Sequence, residues 1–266
     1  MIEGTSRSGS PFLIVGWSPD GGEVGWRVLD YLNKHLSARE LSEIEPSGFF
    51  SLSGVQVKNN VIHFPQSKFY SVEGKNLIFF KSNQPGSKGY EFLNRVLDIA
   101  VRFNVQGVYT IGGLVSMMAH TEERRMTAVF NNPELKKSLA DCSLEMDLDY
   151  QGTPSMNGFL LWAAKNRNIA AVSFWVNIPF YLAEGVDPEA DKTVLSLLNR
   201  RFDLNVDLKE LDQAIEKQDE EMLRIRKNNL EVDGYITKLE KNWGLTQEEA
   251  GKLVQEISKF GNYSGS

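Results

Sequence analysis

The sequence has few of the residues on which several classes of protein depend. Its 266 residues include one cysteine and three histidines, and acidic residues outnumber basic ones by 35 to 29, for a formal net charge of −6. The single cysteine, Cys142, can form no internal disulfide, and a histidine-rich metal site would need all three dispersed histidines. The deficit of Lys and Arg argues against nucleic acid as a partner. We therefore assign no metal, no cofactor and no nucleic acid.

Long apolar runs and familiar catalytic motifs are also lacking. No window reaches the roughly 18 uninterrupted apolar residues that cross a bilayer, and the first residues show no signal-peptide pattern. These absences predict a cytoplasmic protein with no membrane partner. The chain has no Gly-x-Ser-x-Gly, His-Glu-x-x-His or Cys-x-x-Cys motif and no phosphate-binding glycine fingerprint. Their absence favours a role other than catalysis.

Short apolar runs alternate with amphipathic segments along most of the chain. Phe12–Val15 predicts a buried strand, a glycine-rich loop follows as far as Gly25, and apolar residues at three- and four-residue spacing predict a helix from Val24. The same order recurs from Leu77. Because a parallel crossover usually contains a helix, this order predicts a layered α/β domain with a mostly parallel sheet. Only 55–71 indicates an antiparallel edge or hairpin.

The composition changes after Asp207, where strand-forming residues become rare and charged residues frequent. Two helical regions follow, and Thr246 with a glutamate three residues later is typical of a capped helix start. The predicted organisation is a mobile leader over 1–10, an α/β domain over 11–207 and a helical appendage over 208–260. Apolar side chains of the appendage require a cover, from the main domain or from another subunit.

Glycines at the ends of two predicted strands are candidate ligand-binding residues. They are Gly16, Gly22 and Gly25 in the first loop and Gly112 and Gly113 in the second. Ligands of α/β proteins bind at the carboxyl edge of parallel strands, where helix amides hold anions. The simpler interpretation is structural, because tight turns and close helix packing need glycine without any ligand.

Charged and polar residues near the same predicted edge form a second candidate site. His120 with Glu122 or Glu123 offers an acid and a base, and the two arginines that follow could hold a carboxylate or phosphate. No nucleophile accompanies them, and the simpler interpretation is a solvated loop whose charges pair with one another or with another subunit. Asn157 and Tyr181 could line the same edge, although the structural interpretation, in which Tyr181 packs, is preferred.

Five segments stand in a characteristic order along the chain: the strand and glycine loop at 12–25, then Tyr109–Gly113, Ala119–Thr121, Asn157–Leu161 and Val172–Tyr181. Over about 11–211 their order and spacing resemble the proteasome assembly chaperone 2 family. The resemblance implies an α/β/α three-layer sandwich similar to that of nucleoside phosphorylases and hydrolases, built into a homo-oligomer that is often a trimer. Some relatives assist proteasome assembly, and the family supplies no catalytic residues. An ATP-grasp label given to some members has no support in these loops.

Two functional hypotheses follow. The first is a non-enzymatic, self-associating scaffold or assembly-chaperone-like protein, with its own copies as partners, a trimer favoured, and another protein complex as a further partner. Relatives that dock on a proteasome end in a hydrophobic residue, a tyrosine and one final residue, whereas this chain ends Asn262–Ser266, which argues against docking by the tail. The alternative is an enzyme or sensor that binds a small anionic or nucleoside-like ligand at the sheet edge, with His120 and Glu122 as catalytic residues.

Overall fold

The computed structural model describes residues 9–51, 54–58, 60–146 and 155–261. Strands and helices alternate over part of this range, whereas five consecutive strands follow the first α-helix and four consecutive α-helices follow the last strand. The strands are β1 (Phe12–Ser18), β2 (Arg39–Glu43), β3 (Gln56–Lys58), β4 (Val61–His63), β5 (Ser67–Ser71), β6 (Leu77–Asn83), β7 (Gly107–Ser116), β8 (Met126–Phe130) and β9 (Ala170–Pro179). The helices are α1 (Val24–His35), α2 (Gly89–Arg102), α3 (Met156–Asn166), α4 (Pro188–Phe202), α5 (Lys209–Asn228), α6 (Leu230–Glu240) and α7 (Gln247–Gly261).

The main sheet has seven strands in the order β2-β5-β6-β1-β7-β9-β8. Strand β1 lies between β6 and β7 and runs parallel to both, whereas β5 runs antiparallel to both β2 and β6. The prediction of a mostly parallel sheet is therefore wrong, because the sheet is mixed. The short connection 72–76 joins β5 directly to β6, and a connection without a crossover allows only an antiparallel pair.

A second, two-stranded sheet pairs β3 with β4 in antiparallel register. This pairing confirms the hairpin predicted within 55–71. Val57 pairs with Ile62 across the hairpin, and both side chains are more than half exposed. The hairpin therefore adds no large apolar side chain of these strands to the main core.

The two faces of the main sheet can be followed along β1. Leu13, Val15 and Trp17 are buried in a core that also contains the apolar faces of α2 and α3. Successive side chains of a strand point to opposite faces, and Gly16 accordingly faces α1, where Leu29 packs against it. Helices therefore cover both faces of β1, which is the arrangement of a three-layer sandwich.

The chain divides into two compact units. Unit 1 comprises the described residues of Met1–Asp20, Gly25–Gly112 and Thr127–Trp175, and unit 2 those of Gly21–Val24, Gly113–Met126 and Val176–Ser266. The boundary at residue 207 that composition indicates stays a prediction. So does the mobile leader, of which residues 1–8 lie outside the described residues.

Unit 2 contains the C-terminal helices α5, α6 and α7. The predicted start of α7 is confirmed, because the N–H of Thr246 donates to the Glu249 carboxylate at 2.9 Å and the N–H of Glu249 donates to Oγ1 of Thr246 at 3.3 Å. Ile236 is buried in α6, whereas Leu230 and Trp243 are 84% and 60% exposed. None of the helices within the described ranges combines the length and the apolar character that crossing a membrane requires.

Candidate functional site

Gly16, Gly25 and Ile111 bring three backbone segments of unit 1 together, and we call them the glycine corner. A Cβ atom on Gly16 would overlap the carbonyl oxygen of Gly25, and one on Gly25 would lie 2.7 Å from the carbonyl oxygen of Ile111. Real Cβ atoms do not approach backbone oxygens so closely. These two glycines therefore permit the close packing of β1, β7 and the start of α1. This geometry is the structural role that the simpler interpretation of the loop predicts.

Asn157 fills the space next to Gly112 in unit 1. Its Oδ1 accepts a hydrogen bond from Nε1 of Trp17 at 2.8 Å, and its Nδ2 would lie 2.7 Å from a Cβ atom on Gly112. Asn157 and Trp17 are 3% and 1% exposed. The amide of Asn157 thus satisfies the indole N–H of a core tryptophan, which is a packing role for a residue predicted to line a ligand site.

Gly22 and Gly113 lie together in unit 2. A Cβ atom on Gly22 would lie 2.6 Å from Cδ1 of Ile178, and one on Gly113 would overlap the same side chain and the carbonyl oxygen of Gly21. Gly22 also has a φ angle of 58°, in the left-handed region that favours glycine. Close packing and backbone conformation account for both residues.

His120 and Tyr181 form a buried pair in unit 2. The backbone N–H of His120 donates to the Tyr181 hydroxyl at 2.6 Å, and the hydroxyl lies 2.8 Å from Nδ1 of His120. The hydroxyl can accept the amide and still either donate to Nδ1 or accept from it, so the imidazole tautomer sets the direction of the second hydrogen bond. Burial, followed by the charges of Arg226 and Arg124, lowers the pKa of His120 to about 4. His120 is therefore neutral at pH 7.

Arg124 and Asp187 form a buried ion pair in the same unit. Nε of Arg124 donates to Oδ2 of Asp187 at 2.7 Å, Nη2 lies 3.4 Å from Oδ1, and the side chains are 1% and 0% exposed. Nη1 donates to the carbonyl oxygens of His120 and Glu122. Asp187 also caps α4 by accepting the N–H of Ala190 at 3.2 Å. The guanidinium that could have held a ligand carboxylate or phosphate is directed at acceptors of the protein itself.

Glu122, the proposed catalytic partner of His120, closes a turn. Its Oε1 accepts the backbone N–H of Ala119 at 2.7 Å.

The hydroxyl of Thr121 donates to Glu240 at 3.2 Å, and Nη1 and Nη2 of Arg226 donate to the same carboxylate at 2.5 and 3.1 Å. The hydrogen bonds from Arg226 lower the pKa of Glu240. Through Thr121, the turn at 119–122 thus joins a network of charged side chains on α5 and α6. We call His120, Arg124, Tyr181 and Asp187 the polar cluster.

The structure distributes the predicted site residues over both units. Gly16, Gly25, Gly112 and Asn157 lie in unit 1, and Gly22, Gly113, His120, Glu122 and Tyr181 lie in unit 2. Within unit 2, His120 and Tyr181 are brought into direct contact. A role of these residues in ligand binding stays a prediction. Among the described residues, no three His, Cys, Asp or Glu side chains are grouped as metal ligands would be.

Sequence reasoning missed Asp187, Arg226 and Glu240. Asp187 precedes Pro188, and an aspartate followed by a proline is typical of a helix N-cap and first turn. That signal locates the side chain of Asp187 at a helix start but does not pair it with Arg124, 63 residues earlier. Arg226 and Glu240 belong to heavily charged helices, where no local pattern separates them from surface residues.

Comparison with known proteins places the chain in a family. A model of the PAC2 family matches residues 13–226. The chain belongs to the PAC2 family. This match confirms the family resemblance that the order of segments indicates. An uncharacterized protein of Methanocaldococcus jannaschii is 24% identical to this PAC2 chain over 227 residues, which cover 80% of this chain and 86% of that protein.

Two solved structures are similar to this PAC2 protein in fold. The Mycobacterium tuberculosis proteasome-assembly chaperone homologue gives a TM-score of 0.72 at 18% identity, over 85% of this chain and 99% of that one. PbaB of Pyrococcus furiosus, an archaeal proteasome activator, gives a TM-score of 0.68 at 22% identity, over 83% of this chain and 96% of that one. At these identities the likeness is one of fold.

Proposed function

We propose that this PAC2 chain is a non-enzymatic, self-associating cytoplasmic protein that assists the assembly of a protein complex, as proteasome-assembly chaperones do. The observation that carries the proposal is the state of the polar cluster. His120 is neutral and bonded to Tyr181, and Arg124 is paired with Asp187. His120 and Arg124, which the sequence offered for acid–base chemistry and for holding an anion, are thus engaged by Tyr181 and Asp187 of the protein itself.

The named relatives support a protein complex as the partner. One is described as a proteasome-assembly chaperone homologue and another as an archaeal proteasome activator. We extend this class of partner to the present chain. Its partners are then other copies of itself, with a trimer favoured, and a multi-subunit complex of which the proteasome is the first to test.

Self-association is tested by multi-angle light scattering of the purified chain across micromolar concentrations. We expect a mass that is a multiple of the 30.0 kDa chain mass, and three times that mass for a trimer. A mass of 30.0 kDa at every concentration would contradict self-association.

The role in assembly is tested by co-expression with the proteasome α and β subunits of the source organism. We expect a larger fraction of complete particles on native gels when this chain is present than when an unrelated α/β protein of similar size replaces it. An unchanged fraction would contradict the assembly role and leave self-association untouched.

The ligand-binding alternative is tested by a thermal-shift screen with nucleotides, nucleosides and inorganic phosphate. A ligand that binds only the folded state raises the midpoint of unfolding in proportion to the logarithm of its concentration. We expect no ligand to raise the midpoint of unfolding in this way. A shift that His120→Ala abolishes, and that the exposed-site variant Lys137→Ala retains, would replace our proposal with an enzyme or sensor.

A further inference from the structure

The sequence contains a single Asn–Gly pair, at 157–158. In such a pair the backbone nitrogen of the glycine can attack the side-chain carbon Cγ of the asparagine. A C–N bond forms, the bond from Cγ to the amide nitrogen breaks, and that nitrogen leaves with the N–H proton as ammonia. Water then opens the cyclic imide to aspartate or isoaspartate. Glycine hinders this attack least because it has no Cβ atom. The reaction needs only water, so the local structure sets its rate.

Both residues of the pair lie in the first turn of α3, in unit 1. Ser155 is the N-cap of this helix, and its Oγ accepts the backbone N–H of Gly158 at 3.1 Å. The attacking nitrogen must therefore give up a hydrogen bond before it can lose its proton. A helical backbone also directs each N–H toward the preceding turn, away from the side chain of the residue before it. The capped start of α3 is thus the first protection of Asn157.

The side chain of Asn157 is held in place as well. Its Oδ1 accepts Nε1 of Trp17 at 2.8 Å, and its Nδ2 lies 3.4 Å from the carbonyl oxygen of Ile111. These contacts fix the carbon that would be attacked. Asn157 is also 3% exposed, so bulk water has little access to the position where the imide would be opened. The buried and bonded amide is therefore the second protection.

We infer that Asn157 is a latent deamidation site, protected while the start of α3 is capped and packed and modified when that turn opens. A reaction that only the open form undergoes proceeds in proportion to the open fraction, provided that closing is faster than the reaction. Deamidation at Asn157 therefore records how often this part of unit 1 opens. The inference goes beyond the proposed function, since it requires neither an oligomer nor a partner.

Deamidation also leaves unit 1 less stable, because neither product fits the native site. A Cβ atom on Gly112 would lie 2.7 Å from Nδ2 of Asn157 and 3.3 Å from Oδ2 of Asp20, so the amide and the carboxylate are near neighbours. Aspartate at position 157 places a second carboxylate there, and two buried like charges disfavour the ionised form of each other. Isoaspartate adds a backbone atom to the first turn of α3. A molecule that has been modified therefore opens more readily.

The first test compares the folded and the unfolded chain. Wild type is incubated at mildly alkaline pH in buffer or in denaturing urea, and mass spectrometry of the peptide that contains Asn157 measures the replacement of NH₂ by OH. Because a folded domain is open in a small fraction of molecules, we expect deamidation about a hundredfold or more slower in buffer. Asn60, which precedes a valine, should stay slow in both. Equal rates at Asn157 in buffer and in urea, or a rate in urea no faster than that of Asn60, would overturn the inference.

The second test removes the cap of α3. Ser155→Ala deprives the N–H of Gly158 of its side-chain acceptor, and the loss of an N-cap should make deamidation of the folded chain about fivefold faster. Thr246→Ala is the matched control, because Oγ1 of Thr246 accepts the N–H of Glu249 at the start of α7 in unit 2. It should leave the rate at Asn157 unchanged. Circular dichroism checks that both variants fold. Equal acceleration by the two variants would show that Asn157 reacts through unfolding of the whole chain, which would overturn the inference.

The third test introduces the aspartate product directly. Asn157→Asp should lower the midpoint of urea unfolding relative to wild type at pH 7.5. The difference should shrink at pH 5, because protonation of one of the two neighbouring carboxyl groups removes their repulsion. Asn166→Asp, at an exposed asparagine of the same helix, should show a smaller loss at pH 7.5. An Asn157→Asp variant as stable as wild type at both pH values would overturn the inferred effect of the modification on unit 1.

Discussion

The glycine corner of unit 1 and the polar cluster of unit 2 both contain candidate site residues, and the two regions are stabilised in different ways. In the glycine corner the absence of side chains lets the backbones of Gly16 and Gly25 come into contact. In the polar cluster, buried side chains satisfy one another through the Arg124–Asp187 ion pair and the His120–Tyr181 hydrogen bond. The difference teaches that glycines and charges near strand ends indicate a binding site only when packing does not already account for them.

Removal of the arginine is expected to have the largest effect on the polar cluster. Arg124→Leu leaves the Asp187 carboxylate buried without a counter-charge, which should lower the free energy of unfolding by about 3–5 kcal/mol. Urea denaturation measures the loss. Arg125→Leu, at an exposed neighbour, should change it by less than about 1 kcal/mol.

A double variant identifies the cause of that loss. Adding Asp187→Asn to Arg124→Leu removes the unpaired charge and keeps a residue that can cap α4. The double variant should therefore be more stable than Arg124→Leu alone. If it is less stable, the unpaired carboxylate is not what destabilises the single variant.

The glycine corner should respond to a single added carbon atom. The Cβ atom of Gly16→Ala would overlap the carbonyl oxygen of Gly25, and two backbone segments would have to separate. Such overpacking should cost about 3 kcal/mol of unfolding free energy. Gly89→Ala is the control, because its Cβ atom meets nothing within 4 Å. Equal stability of the two variants would show that the corner tolerates a side chain.

The polar cluster should also make stability depend on pH. The pKa of His120 falls from its ordinary 6.5 to about 4 on folding, so the unfolded chain binds a proton that the folded one does not. This contribution to stability is present above pH 6.5 and is lost as the pH falls toward 4. At 1.36 kcal/mol per pKa unit, the loss between pH 7.5 and pH 5 is about 2 kcal/mol.

Urea denaturation at the two pH values measures this dependence. In His120→Gln the imidazole is gone, and the difference between the two pH values should shrink by about the same 2 kcal/mol. An identical difference in wild type and variant would assign the pH dependence to other groups.

The smallest expected effect concerns the buried amide beside the glycine corner. Asn157→Ala removes the acceptor of the Trp17 indole N–H, which should cost about 1–2 kcal/mol of unfolding free energy. Asn166→Ala, an exposed asparagine of the same helix, should cost less than about 0.5 kcal/mol. If both variants lose the same small amount, the hydrogen bond to Trp17 adds no stability.

Local patterns predicted most of the elements but not how the strands pair. The apolar spacing from Val24 predicts the start of α1 at the residue where it begins, and Thr246 marks the start of α7. The antiparallel character of 55–71, which contains β5, was predicted, whereas β2 was missed because Arg39–Glu43 contains no apolar run. The pairing of β5 with β6 is set by the short connection at 72–76 and by the register of Phe69 opposite Phe80.

The candidate sites were located in sequence but not resolved into contacts. Gly16 and Gly112 were identified as special because glycine clusters at strand ends are visible in one dimension. His120 and Arg124 were identified because charges follow a buried strand. Local sequence does not show which of these residues are buried. Nor does it show that Asp187 pairs with Arg124, because the two residues are 63 positions apart.

The sequence by itself determined the strand–loop–helix order from Phe12 and again from Leu77, the charged helices after Asp207 and the family, because these depend on neighbouring residues and on their order. Tertiary structure alone decided the mixed sheet, the backbone contact at Gly16, the neutral state of His120 and the burial of Asn157. Each of these features depends on the solvent exposure of a group and on its contact partners, which are set only when distant segments pack together. Such contacts leave no periodic pattern in the sequence, because two residues that touch can lie far apart in the chain and in segments of unrelated composition.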